Sequence, residues 1–492
     1  MTEPSLSIPI QIQKLGAVDN ANIILKPLTI FVGENSTGKT YSAYLISYIF
    51  SKYAFGKYYE LIKSNKSKIK YKEIDSVIEN LNKTGYAELN LKQFISNNSQ
   101  KHFNLICNKV VTKDFKNFLA SDTEAFNNVK VKLDLKKLKD IQYSHLSPHF
   151  LTFNVETCDD CDKINECKST PLEIDKKDLI LKFKRNRTCS DKEGADKKVY
   201  SLILQLLHRS VFNEVYFLGA ERTGMALFYQ TMRKYTPKPQ NLKVDQPESE
   251  KDKIDGKRNT REIHVQFSQP AGELFNNVKS IFDPHSEELR KKIIRDEKEI
   301  KEFIEYANIL ETKILGGDIT VTKNEDDTVK RIMFNYNTNS EIPLNMTISS
   351  SGVKGLSPLI LYLKYFIEPN ELIIIDEPEI NLHPKAQVQL IELLSMLVNS
   401  KVNIIITTHS PYIVDHLINL MKAYSSKKSK KTLSNLFYLK NKDAFIAKDK
   451  VSVYLFEKGT AIDILEDENH INWKTFSQVS EDITDIYFKI GD

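Results

Sequence analysis

One short stretch constrains the fold of this chain more than any other. Residues 33–40 read Gly-Glu-Asn-Ser-Thr-Gly-Lys-Thr, the pattern G-x-x-x-x-G-K-[ST]. An apolar run at 28–32 precedes it and a helix-like segment at 41–50 follows. In that strand–loop–helix context the backbone amides surround a phosphate group. The stretch therefore predicts an α/β fold with a P-loop that binds a nucleotide. The predicted binding residues are Gly33, Asn35, Ser36, Thr37, Gly38, Lys39 and Thr40.

A second apolar run ends in two carboxylates. Residues 371–379 read Glu-Leu-Ile-Ile-Ile-Asp-Glu-Pro-Glu, which is typical of a buried parallel strand that carries acids to the carboxyl edge of a sheet. With Lys39 on the β/γ-phosphates, Thr40 and Asp376 are predicted to hold Mg²⁺, Asp376 directly or through water. Glu377 is predicted to orient or deprotonate the attacking water. The alternative is a strand that ends in a solvated acidic turn.

Two other polar turns complete a predicted ATP site. A third apolar run, 402–407, is followed by Thr-His-Ser-Pro, which places His409 at the same edge of the sheet. His409 is predicted to contact the γ-phosphate; the alternative is a purely structural histidine. Upstream, Ser350, Ser351 and Gly352 form a serine–glycine turn before an apolar helix, and such a turn makes a second anion-binding helix N-terminus.

Residues 51–210 have a different character. Between 51 and 140 there are 18 lysines and no arginine against 10 acidic residues, and short helical segments such as 71–81 and 134–142 show no lasting heptad repeat. These features predict an inserted, mainly helical lobe. Its lysines are either a solvated surface or contacts for a polyanion, since the net charge of +5 permits such a partner without demanding one.

Four of the five cysteines lie in this lobe with the spacing C-x2-C-x5-C-x21-C. Four thiolates at such spacing complete a tetrahedral zinc shell, so Cys158, Cys161, Cys167 and Cys189 are predicted to form a closed structural zinc knuckle. The alternative is four free thiols in a reducing compartment. Cys107 is predicted to be an unrelated core residue.

The remaining segments define four regions. We predict strands at 8–15, 21–25 and 211–218, a hairpin at 318–321 and 331–336, and a helix that opens at Asp283-Pro284 and ends at Gly316-Gly317. Arg222, after the 211–218 strand, either reaches a phosphate or a partner subunit, or pairs with Glu221. The predicted domains are 1–50 (ATPase head with the P-loop), 51–210 (lobe), 211–450 (rest of the head) and 451–492 (a small C-terminal β-element and helix).

The order of these motifs resembles the ABC-type ATPase heads of the SMC and RecF-like class, and more narrowly bacterial ATPases related to the OLD family. In the latter the acidic strand continues as E-P-E-x-x-L-H-P and the histidine loop reads T-T-H-S-P, and residues 377–384 and 407–411 match both patterns. The resemblance covers roughly 1–50 and 211–440. It implies that Ser350, Ser351 and Gly352 close over ATP held by a second copy, in a head-to-head dimer. Val353 and Lys354 depart mildly from the usual signature, and a glutamine loop has no clear counterpart.

The resemblance also extends to a biological role. OLD nucleases carry a Toprim domain after the head. Here only about 50 residues follow the last predicted strands of the head, too few for a Toprim fold, so we expect an ATPase without its own nuclease. Such heads resemble the ATPase subunits of two-gene anti-phage systems such as PARIS and Septu. The hypothesis is a cytoplasmic ATPase, using ATP and Mg²⁺, that dimerises or forms a larger homo-oligomer and controls a separate nuclease or toxin effector. DNA or a phage protein would be the trigger, with no membrane partner. The alternative is a RecF-like DNA-repair ATPase that clamps DNA.

Overall fold

The structure describes residues 6–64, 69–121, 123–136, 173–175, 179–184, 192–224, 268–282, 290, 298–323, 330–336, 343–465, 482–487 and 489. In this computed structural model the strands are β1 (Ile8–Leu15), β2 (Val18–Leu25), β3 (Leu28–Gly33), β4 (Tyr86–Asn90), β5 (Lys130–Leu133), β6 (Glu173–Asp175), β7 (Ile180–Lys184), β8 (Val215–Leu218), β9 (Gly317–Lys323), β10 (Lys330–Tyr336), β11 (Leu344–Asn345), β12 (Leu372–Asp376), β13 (Asn403–Thr408), β14 (Val451–Glu457) and β15 (Thr460–Asp463). The helices are α1 (Lys39–Phe50), α2 (Lys52–Lys63), α3 (Lys72–Thr84), α4 (Leu91–Leu105), α5 (Thr112–Phe118), α6 (Lys192–His208), α7 (Gln269–Ser280), α8 (Lys298–Ile309), α9 (Ser351–Tyr365), α10 (Pro384–Asn399), α11 (Pro411–Ser425) and α12 (Lys430–Ser434).

A nine-stranded sheet in the order β5-β1-β2-β15-β14-β3-β13-β12-β8 forms the centre of the fold. The five strands from β14 to β8 run parallel, and β5, β1 and β2 form an antiparallel extension at the other side. The parallel part confirms the α/β fold predicted from the P-loop. Parallel strands need helices on both faces, and β3, β12 and β13 are accordingly buried along their whole length.

The two faces of the sheet lie in two hydrophobic cores. Alternate residues of β12 point to opposite faces, so Ile374 packs with α1 while Ile373 and Ile375 pack with α9, α10 and α11. The helices of the predicted lobe, α2 to α6, share the α1 core and have their apolar side chains in it. The described residues between 51 and 118 are mainly helical, as predicted, but they pack directly against the head.

Three segments differ from the sequence predictions. The 51–210 region was expected to form a lobe of its own, but its strand β5 lies at the edge of the large sheet. Of the expected 134–142 helix the structure describes only residues 134–136, which follow that strand, so this helix stays a prediction. The predicted C-terminal β-element is instead part of the head sheet, since β14 pairs with β3. The strand expected at 211–218 begins only at Val215, because Asn213 is hydrogen-bonded to the loop at Pro369 and Asn370.

The other predicted elements are confirmed where the structure describes them. β1, β2, β3 and α1 lie within a few residues of their predicted positions, and β9 and β10 form the predicted antiparallel hairpin. The helix before that hairpin, α8, continues beyond Ile309 as a π-helical segment, Leu310–Leu315, and ends at Gly316, whose φ of 71° is left-handed. No helix in the described ranges is long and apolar enough to cross a membrane.

Candidate nucleotide site at the carboxyl edge of the sheet

The P-loop follows β3 and its two glycines are required by the backbone. Gly33 has a φ of 140° and Gly38 a φ of 97°, both in the region that glycine adopts at little cost. A Cβ at Gly33 would lie 2.4 Å from the carbonyl oxygen of Phe456 on β14, and one at Gly38 would lie 2.4 Å from Cγ2 of Val18. Residues of β14 and β2 therefore lie too close to these two positions to leave room for a side chain.

Lys39 is buried at the start of α1 and points back into the loop. Its Nζ donates hydrogen bonds to the carbonyl oxygens of Gly33 (3.0 Å) and Glu34 (2.6 Å). Burial lowers the pKa of the ammonium, while the carboxylates of Glu377 and Asp376 act in the opposite direction. The cation is thus held at the loop by carbonyl oxygens and nearby carboxylates, in the position where a phosphate would supply the compensating charge.

Thr40 and Asp376 face each other across the strand ends, as the predicted magnesium site requires. The Thr40 hydroxyl donates to Asp376 Oδ1 at 2.9 Å, and the Thr407 hydroxyl donates to the same oxygen. A hydroxyl and a carboxylate are hard oxygen ligands, and Mg²⁺ bound with nucleotide phosphates uses only one or two carboxylates and several waters. The residues therefore fit the ion. No group of three or more His, Cys, Asp or Glu suited to a metal occurs in the part of the chain that the structure describes.

Glu377 comes directly after Asp376 and has a left-handed backbone with φ of 47°. Its amide donates to the carbonyl oxygen of Thr407 (3.0 Å) and is also 3.1 Å from the Thr407 hydroxyl oxygen. These bonds hold a conformation that is costly for a residue with a side chain. The carboxylate is 31% exposed and so remains accessible to water.

His409 lies beside Glu377, with 3.6 Å between its Nε2 and Glu377 Oε1. Burial and then the positive charge of Lys39 lower the pKa of His409, so the imidazole is neutral at pH 7. A neutral ring at this position carries one N–H that can donate to a phosphate oxygen or to a carboxylate. The contact with Glu377 is therefore not an ion pair at neutral pH.

Glu379 supports the histidine loop, a role that the sequence did not reveal. One of its oxygens, Oε1, accepts hydrogen bonds from the Thr408 hydroxyl and the His409 amide, both at 2.7 Å. Burial raises the pKa of this carboxyl group. A second hydrogen bond holds the end of this loop. Ser410, the N-cap of α11, donates its hydroxyl hydrogen to Gln387 Oε1 of α10 at 2.5 Å.

Arg222 is buried behind the acidic strand end and matches neither predicted alternative. Its guanidinium donates to four backbone carbonyl oxygens at 2.5–3.1 Å. These carbonyls belong to Gly219, Gly355, Asp376 and Glu377. Arg222 thus joins the strand end that carries both acidic residues to α9, the helix that follows the serine–glycine turn. In the sequence, its place just after a buried strand marked it as special.

The serine–glycine turn forms the predicted cap. Ser350 is the N-cap of α9 and its hydroxyl accepts a hydrogen bond from the Val353 amide at 3.3 Å. Ser350 and Ser351 are exposed, whereas Gly352 faces the Asn381 turn, where an added Cβ would lie 3.2 Å from a carbonyl oxygen. The described contacts of this turn are thus with α9 and the turn at 381–382, while the P-loop, Asp376, Glu377 and His409 come together at one sheet edge.

The predicted zinc ligands cannot be placed in this geometry. Cys158, Cys161, Cys167 and Cys189 lie outside the described residues, so the zinc knuckle stays a prediction. Cys107 is buried as expected, and burial raises the pKa of its thiol to about 12.

Comparisons with known proteins bear on this site. The AAA ATPase domain family matches residues 9–414. An uncharacterized protein of Methanocaldococcus jannaschii is 31% identical over 145 residues, which are 29% of this chain, and the chain spans only 16% of that protein's length. Two solved structures are similar to this chain, each with 10% sequence identity. One is an SMC head bound to the C-terminal winged-helix domain of ScpA. The other is a Pyrococcus furiosus SMC head with an extended coiled coil, bound to the C-terminal domain of ScpA. They have TM-scores of 0.36 and 0.33, cover 93% and 98% of this chain, and are themselves covered over 96% and 100% of their lengths. Scores this low carry no argument.

Proposed function

Because this chain belongs to the AAA ATPase domain family, we propose that it binds Mg·ATP at the P-loop edge of its sheet and hydrolyses it there. The observation that carries the proposal is the meeting of Lys39, Thr40 and Asp376 with Glu377 and His409 at the ends of β3, β12 and β13. These are the charges, the hydroxyl and the base that phosphoryl transfer to water needs.

Each residue has a distinct part in the proposed reaction. Lys39 would bind the β- and γ-phosphates, and Thr40 and Asp376 would hold Mg²⁺, which would neutralise charge on the phosphate oxygens. Glu377 orients the attacking water and accepts its proton, and neutral His409 donates its N–H to the γ-phosphate or to Glu377. Glu379 and Arg222 keep the histidine loop and the acidic strand end in place.

The second part of the proposal is that ATP joins two copies of the chain. Ser350 and Ser351 are exposed, and Ile348 just before them leaves 69% of its side chain in water. Tyr412, three residues after His409, is also 49% exposed. Apolar side chains beside a polar turn favour burial against a partner. We therefore propose that the turn of one copy closes over the nucleotide of the other, as the resemblance to ABC-type heads implies.

The most specific part of the proposal, the biological role, rests on the resemblance to OLD-related ATPases alone. We propose that ATP-dependent closure lets this protein act as sensor and scaffold of a bacterial anti-phage complex, in which it holds or releases a separate nuclease or toxin effector. The supporting feature is the paired E-P-E-x-x-L-H-P and T-T-H-S-P pattern. Co-purification with the product of a neighbouring nuclease gene would support the role, and a gene neighbourhood without an effector would refute it.

The ATPase is tested by Glu377→Gln. This variant is expected to bind ATP like the wild type, to lose turnover by about 10²-fold or more, and to accumulate dimers with ATP in size-exclusion chromatography. Asp415→Asn is the matched control, because Asp415 is an exposed carboxylate further along α11. Wild-type turnover in Glu377→Gln would remove the residue from its proposed role. Loss of ATP binding would show instead that the variant is misfolded at the site.

A further inference from the structure

The end of α11 and the segment after it form a strongly basic surface. Residues 422–450 contain nine lysines against two aspartates, a net charge of +7 in 29 residues. Because the whole chain carries +5, all its other residues together carry −2. We call residues 422–450 the basic segment. All of it lies in the described part of the chain.

The basic segment presents charge and aromatic rings together. Lys427, Lys428 and Lys431 are exposed, and so are Tyr424 and Tyr438, at 46% and 53%. Between them Leu436 is 78% exposed. A solvated lysine face does not need large apolar groups in water, so the combination indicates a binding surface.

A chain of contacts connects the two exposed tyrosines. The Nζ of Lys430 lies 5.3 Å from the ring centre of Tyr424 and 5.8 Å from that of Phe445. Phe445 contacts Phe437, with 5.0 Å between the rings. Phe437 follows Leu436 and precedes Tyr438 in the chain. The two exposed tyrosines are therefore linked through Lys430 and the packed rings of Phe445 and Phe437.

We propose that the basic segment binds single-stranded nucleic acid without sequence preference. Lysine is a point charge that suits phosphate, and the segment has no arginine to form the forked contact that reads guanine. Exposed tyrosines give bases a surface on which to stack, and every base has such a face. A duplex keeps its bases stacked on one another, so it would use the lysines but not the tyrosines.

This surface is separate from the ATP site. α11 begins two residues after His409, and its 15 residues span about 22 Å. Substitutions in its last turn and beyond leave the P-loop, Asp376, Glu377 and His409 untouched. The proposal therefore stands independently of the proposed ATPase, and binding is measured without nucleotide.

The test is fluorescence anisotropy of a labelled oligothymidine of about 20 nucleotides. The triple variant Lys427→Glu/Lys428→Glu/Lys431→Glu lowers the net charge of the segment from +7 to +1 and should weaken binding at least about tenfold, with a shallower salt dependence. The control makes the same charge change at three exposed lysines of the 51–210 region, Lys72, Lys109 and Lys113, and should bind within about twofold of the wild type. Equal losses in both triple variants would overturn the proposal, since they would reflect net charge alone.

A second arm tests the tyrosines. Tyr424→Ala/Tyr438→Ala should weaken oligothymidine binding about fivefold or more and leave binding of an equally long duplex unchanged. Unfolding curves check that each variant remains folded. Equal affinity for duplex and single strand, or tighter binding to phosphatidylserine vesicles or to an acidic peptide, would refute a single-strand site.

Discussion

Replacing Arg222 tests whether the acidic strand end must be held from behind. Its guanidinium makes four hydrogen bonds to backbone carbonyl oxygens at the ends of β8 and β12 and in α9. Methionine has a similar length but no donor, so Arg222→Met leaves these buried oxygens without their partner.

The magnitude follows from those bonds. A hydrogen bond from a charged donor contributes about 1.5–3 kcal/mol, but bonds made by one side chain are not additive. Breaking such a buried network costs about 3–5 kcal/mol. We therefore expect Arg222→Met to lower the free energy of unfolding by about 3–5 kcal/mol. Arg222→Lys keeps the charge but cannot reach all four oxygens from one nitrogen, so we expect a loss of about 2–3 kcal/mol.

The same clamp predicts a catalytic effect. Arg222 binds the carbonyl oxygens of Asp376 and Glu377, and a shift of about 1 Å in such residues costs roughly 10²-fold in rate. ATP turnover at saturating ATP should fall by that order in Arg222→Lys, while ATP binding should persist because the P-loop is unaltered. Urea unfolding and phosphate release measure the two effects.

The control is Arg331→Met, which removes the same charge at an exposed position on β10. It should leave both measurements near wild type. Wild-type stability and turnover in Arg222→Met would refute the clamp. Lost stability with normal turnover per folded molecule would confine Arg222 to a structural role.

Three further predictions use other parts of the molecule. Gly38→Ala, at a φ of 97° with its Cβ 2.4 Å from a β2 side chain, should weaken nucleotide binding and lower stability by about 1–3 kcal/mol, measured by nucleotide titration and unfolding; unchanged values would show that the loop adapts. His208 is buried against His102, and burial lowers its pKa from 6.5 to about 4. Its neutral form is favoured in the folded state, so the contribution of His208 to stability should be full well above pH 6.5 and about 2 kcal/mol lower at pH 5. Burial also lowers the pKa of His102, which adds to the loss in the same direction. A flat pH profile in urea unfolding, or an unchanged one in His208→Gln, would contradict this. Zinc measured by elemental analysis should be one per chain and absent after Cys158→Ser/Cys161→Ser; zinc-free reduced protein would exclude the knuckle.

Sequence patterns were sufficient where function requires residues that are close together along the chain. The P-loop needs its glycines, Lys39 and Thr40 within eight residues, and Asp376-Glu377 ends a run of isoleucines whose burial in a parallel sheet is evident from composition. Since parallel strands end at one edge, the meeting of Thr40 with Asp376 could also be expected.

Contacts between distant segments were beyond such patterns. Nothing local shows that Arg222 binds four carbonyl oxygens, because that depends on where β8, β12 and α9 end relative to one another. Nor does the alternation of residues 451–456 reveal a neighbour, yet β14 pairs with β3 and presses on Gly33.

The sequence by itself thus determined which residues carry the proposed chemistry, and the tertiary structure decided what surrounds them. The P-loop, the acidic pair and the histidine are specified by residue type and short spacing, because phosphate, Mg²⁺ and water each demand particular atoms. Strand order, the arginine clamp and the joining of Tyr424 to Tyr438 in one basic surface depend on packing between segments far apart in the chain. Packing of that kind follows from burial of the whole chain and from no single stretch of it.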